Sequence, residues 1–476
     1  MRGIGLDNGN GGAEARRQAV LAVTALACVP FNMALMNSTF FPQFSGVFTY
    51  GRDLGILTAA AVCAAIAFVA TNRPGLLRHR AFSLLAVALW TCGLAASYAG
   101  ILLGSAVPLV LGVMVAQAGE AWLELQILLA CSEVLAREKL VAGTALAVAV
   151  GIALGSAASL LPLWFALGLY LLTIPLGAIL VWDIAGRCVQ RISLAPAASD
   201  LSAMWPSSFL SPLNRFYLCI FGFAVATGYA LRFGALEGRA DTSPFAVLAL
   251  LVAIPYCRLS KFERPFDSLL DFALLFTLGG FLLAPLSTFG LAAKTLLSVG
   301  DAFFQLVSYL ALFSLAQRNS AAGLTVVTWG FFWTSMGTTV GANIGALAWT
   351  SIDSDVAYLA SGMLAFCLLA FALFGLRGFS FDETIRGVQP VPESELGGEA
   401  AAPDLDAACE RLAREHGLTA RETDVLRLLA RGRNNQHIQD ELSLSRNTVK
   451  SHIKHVYTKL DVHSQQELID LADEKG

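Results

Sequence analysis

The apolar residues of this chain follow two different patterns. From about 18 to 376 they form long, nearly unbroken runs; beyond that they shrink to single residues recurring every three or four positions. A helix needs about 20 mostly apolar residues to cross a bilayer. About twelve runs qualify: roughly 18–37, 54–72, 81–103, 106–130, 140–160, 162–183, 214–233, 244–260, 267–287, 289–317, 321–346 and 355–376. Each is expected to be helical, because lipid offers no partner to an unpaired backbone group. The polar break at 184–213, which holds Pro196, Pro206, Pro212 and several serines, splits the runs six and six. The predicted fold is all-α: a cytoplasmic N-terminus over 1–17, a membrane domain over 18–376 in two six-helix halves, a tether over 377–403, and a small helical domain over 404–476.

Composition sharpens this division. The chain is 56% hydrophobic and 14% charged, with a mean hydropathy of +0.64, whereas soluble domains carry about 25% charge. Lipid is therefore the solvent for most of it, and the net charge of -3 sums unlike parts. Placement of Lys and Arg orients the runs. With the N-terminus inside, the inner loops hold Arg2, Arg16, Arg17, Arg73, Arg78, Arg80, Arg137, Lys139, Arg187, Arg191, Arg215, Arg258, Lys261, Arg264 and Arg318, against Arg52, Arg232 and Arg239 outside. The positive-inside rule then puts both termini in the cytoplasm of a multi-pass inner-membrane protein. The start is polar and Gly-rich and the first apolar run is long, which reads as no cleavable signal peptide. The cysteines form no Cys-x-x-Cys pair; they are expected to be small buried hydrophobes, and no disulfide framework or metal site is implied. No nucleophile elbow or phosphate loop appears, so neither an enzyme nor a cofactor is expected.

Two six-helix halves resemble the layout of the major facilitator transporters. The loop at 70–80 lacks the Asp and the glycine spacing of that family's loop after the second span, which counts against active transport. Ionisable groups inside a membrane mark sites more often than elsewhere. Gln117, Glu120 and Glu124 share one face of the fourth span; Lys294 and Asp301 share a face of the tenth; Trp329 and Trp333 are neighbours on the eleventh. One reading is a pocket between the halves in which Glu120 or Glu124 meets a cationic small molecule and the tryptophans stack on it. The other is a polar clamp between helices, with lipid-facing aromatics. Gly151 with Gly155, and Gly337 with Gly341, are small-x-x-x-small pairs that let helices approach closely.

The segment at 377–403 carries Pro390, Pro392 and Pro403 among Glu393, Glu395 and Glu399. It reads as a flexible acidic tether, with an r.m.s. span of about 25–30 Å. Beyond it, 404–416 is compatible with a helix that packs on the final domain. Thr419 and Glu422 form a capping box opening a helix with Val425, Leu426, Leu428 and Leu429, which stops at Gly432. Asn434 or Asn435 caps a second helix that buries Ile438 and Leu442. A turn at 443–445 leads to a third, and Ser464 with Glu467 opens a fourth holding Leu468, Ile469 and Leu471.

The third helix, 445–460, has Arg446, Lys450, Lys454 and Lys459 with His452 and His455, and no acid. Val449, Ile453, Val456 and Leu460 form its core stripe. Basic charge gathered on one helix of a mildly acidic domain is the footprint of a groove binder. Asn447 and Thr448 at its start suit phosphate contacts, while Lys450 and Lys454 face outward together beside Ser451.

These residues resemble the LuxR-type helix-turn-helix. The matches are Leu418, Thr419, Arg421, Glu422, Gly432, Asn435, Ile438, Thr448, Val449, Lys450, His452, Lys459 and Leu460; Gln439 and Val456 depart mildly from the pattern. The resemblance implies Lys450, Ser451 and Lys454 in the major groove; Arg446, Asn447, Thr448 and His455 are the other residues expected to face DNA. It also implies dimer contact through the fourth helix on double-stranded promoter DNA. The family's usual soluble sensors are not seen, so the input is expected to come through the membrane half. The chain thus looks like a membrane-embedded LuxR-type regulator responding to a small-molecule inducer; the rival is a transporter with a regulatory tail.

Overall fold

The computed structural model describes residues 8–391 and 405–471, except 45, 49, 136, 237–242, 260–263, 287–288, 351–353, 431–434, 443, 463–464, 466 and 469–470. Among the described residues all regular structure is helical. The chain divides into two compact units, Met1–Leu396 and Gly397–Gly476.

The first unit opens with α1 (Asn8–Leu35), α2 (Gly51–Asn72), α3 (His79–Leu103), α4 (Ala106–Val134), α5 (Arg137–Ala158) and α6 (Leu163–Leu180). The amphipathic α7 (Trp182–Leu194) and the short α8 (Ala198–Met204) fill the polar break. Then come α9 (Arg215–Leu236), α10 (Ser243–Leu259), α11 (Pro265–Leu283), α12 (Gly290–Arg318), α13 (Gly323–Thr350), α14 (Ser354–Ala370) and α15 (Phe381–Gly387). Nine helices among the described residues are long and apolar enough to cross a membrane, and Arg215–Leu231 and Pro244–Tyr256 are shorter apolar helices. α13 is long, but its Thr and Gly residues dilute its apolar character. The outer surface is greasy: Phe68, Leu84, Leu102, Leu160, Trp164, Leu347 and Phe366 are all exposed. Soluble monomers avoid apolar surface on this scale, so these side chains fit a lipid-facing wall.

The two series of helices pack alike. α1 lies against α5 and α6, and α3 against α4; α9 lies against α13 and α14, and α11 against α12. The series meet through α2 on α13, α5 on α10 and α4 on α12. Glycine permits the closest approaches. A Cβ on Gly151 in α5 would stand 2.5 Å from the Ala27 carbonyl oxygen in α1, and one on Gly341 in α13 would stand 1.9 Å from that of Val225 in α9. Both small-residue pairs thus serve helix contact, at corresponding places in the two series. Of the cysteines, Cys63, Cys131, Cys188, Cys219 and Cys409 are buried as expected, but Cys92 and Cys367 are exposed. A thiol is apolar enough to face lipid without a partner.

The expected tether begins as folded chain. Residues 392–403 lie outside the described residues, but α15 docks on α11 by a reciprocal cap. Asp382 Oδ2 accepts from Phe266 N (2.9 Å) and Asp267 N (3.1 Å). Asp267 in turn accepts from Phe381 N (2.7 Å) and from the Ser380 hydroxyl. Arg264 pairs with Glu383, Phe381 packs edge-on against Phe216, and Val391 packs with Leu201, Phe209 and Ala321. Phe381, Ile385, Val388 and Val391 are all buried, a short apolar period of three to four residues that is easily lost beside the prolines and glutamates that follow it.

The second unit holds α16 (Leu405–Glu415), α17 (Ala420–Ala430), α18 (Asn435–Leu442) and α19 (Arg446–Leu460). Residues 465, 467, 468 and 471 are also helical. Cys409, Leu412, Val425, Leu426, Leu429, Ile438, Val449, Val456, Leu460 and Leu468 form its core, so α16 does pack on the domain. The reciprocal capping box is present: Thr419 N donates to Glu422 Oε2 (2.8 Å) and Glu422 N to Thr419 Oγ1 (3.4 Å). Gly432, Asn434 and Ser464, expected as stop and caps, lie outside the described residues.

Candidate functional site

α19 is positioned from both ends. Ser445 caps it, accepting from Thr448 N at 3.3 Å, and its hydroxyl meets that of Thr448 at 2.8 Å. At the far end Asp461 turns into the left-handed region (φ 54°), where an Asp side chain is tolerated. Leu444 N bonds the Gln439 carbonyl at 3.0 Å and closes the turn from α18. Val449, Val456 and Leu460 point into the core. The opposite side follows from the helical period: Arg446, Asn447, Thr448, Lys450, Ser451, Lys454 and His455 are all exposed. A helix with one buried apolar stripe and a basic free face has the form that enters a DNA groove.

Lys459 does not belong to that face. Its ammonium donates to Glu422 Oε2 (2.8 Å) and the Gly417 carbonyl (2.9 Å), and His416 Nδ1 meets the Lys459 carbonyl at 3.0 Å. The Glu422 side chain is 6% exposed. The Lys459 ammonium and the Thr419 N–H hold its carboxyl at about 2, well below the ordinary 4.5. His455 Nδ1 also lies 3.5 Å from Glu422 Oε1, though its side chain is 58% exposed. This knot locks the end of α19 to the start of α17. Net charge along the helix gave no sign of it; the capping box did, since it fixes where the Glu422 carboxylate sits.

In the first unit the polar residues of the fourth span converge. Asn32 in α1 and Gln117 in α4 donate their amides to the two oxygens of Glu120. Gln117, Glu120 and Glu124 are all buried. Asn32 Oδ1, also buried, has no hydrogen-bond partner among the described residues. In the second series Asp301 of α12 accepts from Thr227 of α9 at 2.9 Å. Each series therefore places a carboxylate on its fourth long helix and a polar partner on its first, and α4 and α12 are in contact. Sequence reasoning missed Asn32 and Thr227, because one amide or hydroxyl in an apolar run carries no periodicity.

The other expected pocket residues are placed differently. Lys294 is half-buried two turns before Asp301, about 10 Å along the helix axis. Trp329 packs edge-on against Phe332. Trp333 donates from Nε1 to the Pro212 carbonyl (2.9 Å) and packs on Phe221, which anchors it to the segment between the two series. Among the described residues no group of His, Cys, Asp and Glu is arranged to hold a metal ion.

Residues 416–472 match the family model of bacterial regulatory proteins, luxR family, and form a LuxR-type helix-turn-helix domain. The chain is 41% identical over 91 residues to the uncharacterized response regulatory protein YgeK of Escherichia coli (19% of this chain, 62% of that protein). It is 46% identical over 55 residues to the Fimbriae Z protein of Salmonella typhimurium (12% and 26%). It thus spans less than two thirds of either relative. In fold it is similar to a bacterial homologue of the iron transporter ferroportin, with a TM-score of 0.54 at 12% identity, covering 78% of this chain and 98% of that one. It is also similar to FucP, a major facilitator superfamily transporter, with a TM-score of 0.47 at 15% identity (76% and 98%). At such identities the likeness is one of fold alone.

Proposed function

We propose that this protein is a membrane-bound transcriptional regulator whose membrane unit receives a small molecule and whose α19 reads promoter DNA. The observation that carries the reading is the free basic face of Arg446, Lys450 and Lys454 on a helix-turn-helix domain of the luxR family. Lys450 and Lys454 meet base edges or phosphates, Ser451 lies between them, Arg446, Asn447 and Thr448 hold the backbone, and His455 flanks the contact. A dimer on DNA reads half-sites about one helical turn apart. The bias of Arg and Lys to one set of loops supports twelve spans in a six-plus-six arrangement, with both termini in the cytoplasm of an inner membrane.

The inducer site of this proposal is the acid cluster. Among the described residues Glu120 is held by amides, and Asn32 Oδ1 has no donor. An organic ammonium supplies both the opposite charge and the N–H. It controls transcription only in so far as it binds two packings of the helices unequally. α15 stands at the exit from the membrane unit, so a shift of α11 reaches the chain that leads to the DNA-binding domain. The test is promoter binding by Lys450→Ala and Lys454→Ala. Unchanged occupancy in both ends the groove assignment.

A second reading, a transporter with a regulatory tail, is favoured by the likeness in fold to the ferroportin homologue. Uptake by vesicles carrying the protein truncated after residue 396 selects it.

A further inference from the structure

We infer that the cleft between the α2–α3 loop and α7 is a binding site for a phosphate-bearing anionic headgroup. The cleft measures about 540 Å³. Arg78 and Arg80 line it from the loop and the start of α3, and Arg187 from α7, with Asp183 as the one carboxylate. The fate of the neighbouring arginine sets these three apart. Arg191, one turn beyond Arg187, is taken by Glu133 in a two-pronged pair (2.9 and 3.2 Å). Arg78, Arg80 and Arg187 form no salt bridge among the described residues. Three exposed guanidinium groups around one cavity repel one another unless an anion joins them, and their forked donors match phosphate oxygens.

The surroundings favour a lipid as the source. Ile184, Ala185, Val189 and Ile192 are buried along one side of α7 while its arginines face outward, the pattern of a helix lying in a membrane interface. Trp182 lines the cleft and packs edge-on against His79, as aromatic residues do at headgroup level. Basic pockets beside spanning helices on the cytoplasmic side take anionic headgroups. A Cβ on Gly186 would stand 3.2 Å from His79 Nδ1, so glycine keeps the floor of the cleft open. Because α7 joins the two helical series, a headgroup held here ties the α2–α3 loop to the joint between them. Placing the cleft at the cytoplasmic leaflet rests on the orientation proposed above; the arginine geometry does not.

The experiment uses the full chain in neutral detergent. Retention of phosphatidylglycerol and of phosphatidylcholine is read by native mass spectrometry, and binding of inorganic phosphate by calorimetry. The intact protein is expected to retain phosphatidylglycerol at least tenfold better than phosphatidylcholine. Arg78→Gln/Arg80→Gln/Arg187→Gln is expected to lose that preference, and so is Gly186→Leu, which fills the cleft without changing charge. Arg187→Gln alone, the milder change, serves if the triple variant does not fold. Phosphate binding that these variants lose, with no lipid preference, also upholds the site and assigns it to free phosphate. Equal retention of the two lipids with no phosphate binding overturns it, as does a preference untouched by both the arginine and the glycine variants. Promoter binding is measured on the same preparations, so losing that activity alone sinks the regulatory reading and spares this site.

Discussion

Glu422 and Glu120 are both buried acids, and the two units treat them differently. Glu422 receives an ammonium, a backbone N–H and a hydroxyl. Glu120 receives two side-chain amides. An acid matched by a cation is a structural bolt, because removing either partner strands the other charge. An acid matched only by dipoles in an apolar interior lacks an opposite charge, which a cationic ligand can supply. The largest expected effect follows from the first case. Glu422→Ala removes the cap and the partner of Lys459 together, and should destabilise the C-terminal unit by about 2–3 kcal/mol, read by thermal unfolding. The pH dependence has a definite sign. A carboxyl held at about 2 rather than 4.5 contributes stability that is full above pH 4.5 and is lost as pH falls towards 2. Glu422→Gln should flatten that window, and an unchanged acid limb would show that the bolt lies elsewhere.

Next in size are the lysines that the bolt leaves free. Lys450→Ala and Lys454→Ala should each weaken promoter binding by about 1–3 kcal/mol and make the salt slope shallower by about 1. Lys459→Gln makes the contrast. Its loss should lower stability before affinity, with the salt slope of the folded fraction unchanged. On the membrane side, Glu120→Gln keeps the shape and removes the charge. The inducer dose response should move by about tenfold or more, a difference of about 1.4 kcal/mol, while DNA affinity without inducer stays as it was. A normal dose response would take Glu120 out of the pocket.

What was legible in the sequence divides along the same line. The domain at 416–472 could be read because its signals are local: a capping box, a turn and an apolar stripe within a few residues of each other. Long apolar runs likewise announced the helices of the first unit. Partnerships across the chain were not legible. Asn32 meets Glu120 across 88 residues and Thr227 meets Asp301 across 74; nothing in either local pattern signals the other. Lys459 read only as part of the helix's basic charge, because helical spacing alone does not say which cation a buried carboxylate will capture. Trp333 read as a ligand platform, yet its N–H is committed to Pro212. Residues 377–391 read as tether because their apolar period, Phe381, Ile385, Val388 and Val391, is short and runs into an acidic, Pro-rich stretch.

That docking gives the smallest and most discriminating test, since it presents a third kind of acid. Asp382 and Asp267 each accept from backbone N–H at the start of the other's helix, so helix ends are their hydrogen-bond donors. Asp382→Ala should cost about 1 kcal/mol, the usual worth of a cap, and Asp267→Ala about the same. Because the two caps hold one contact, the double variant should cost less than the sum of the singles. Hydrogen exchange over 380–391 reads the opening directly. If α15 carries the signal, its opening should shrink the induction ratio while promoter affinity in the absence of inducer stays level. Strict additivity would mean that the caps act separately on two independent helices, and an unchanged induction ratio with α15 open would send the signal by another route.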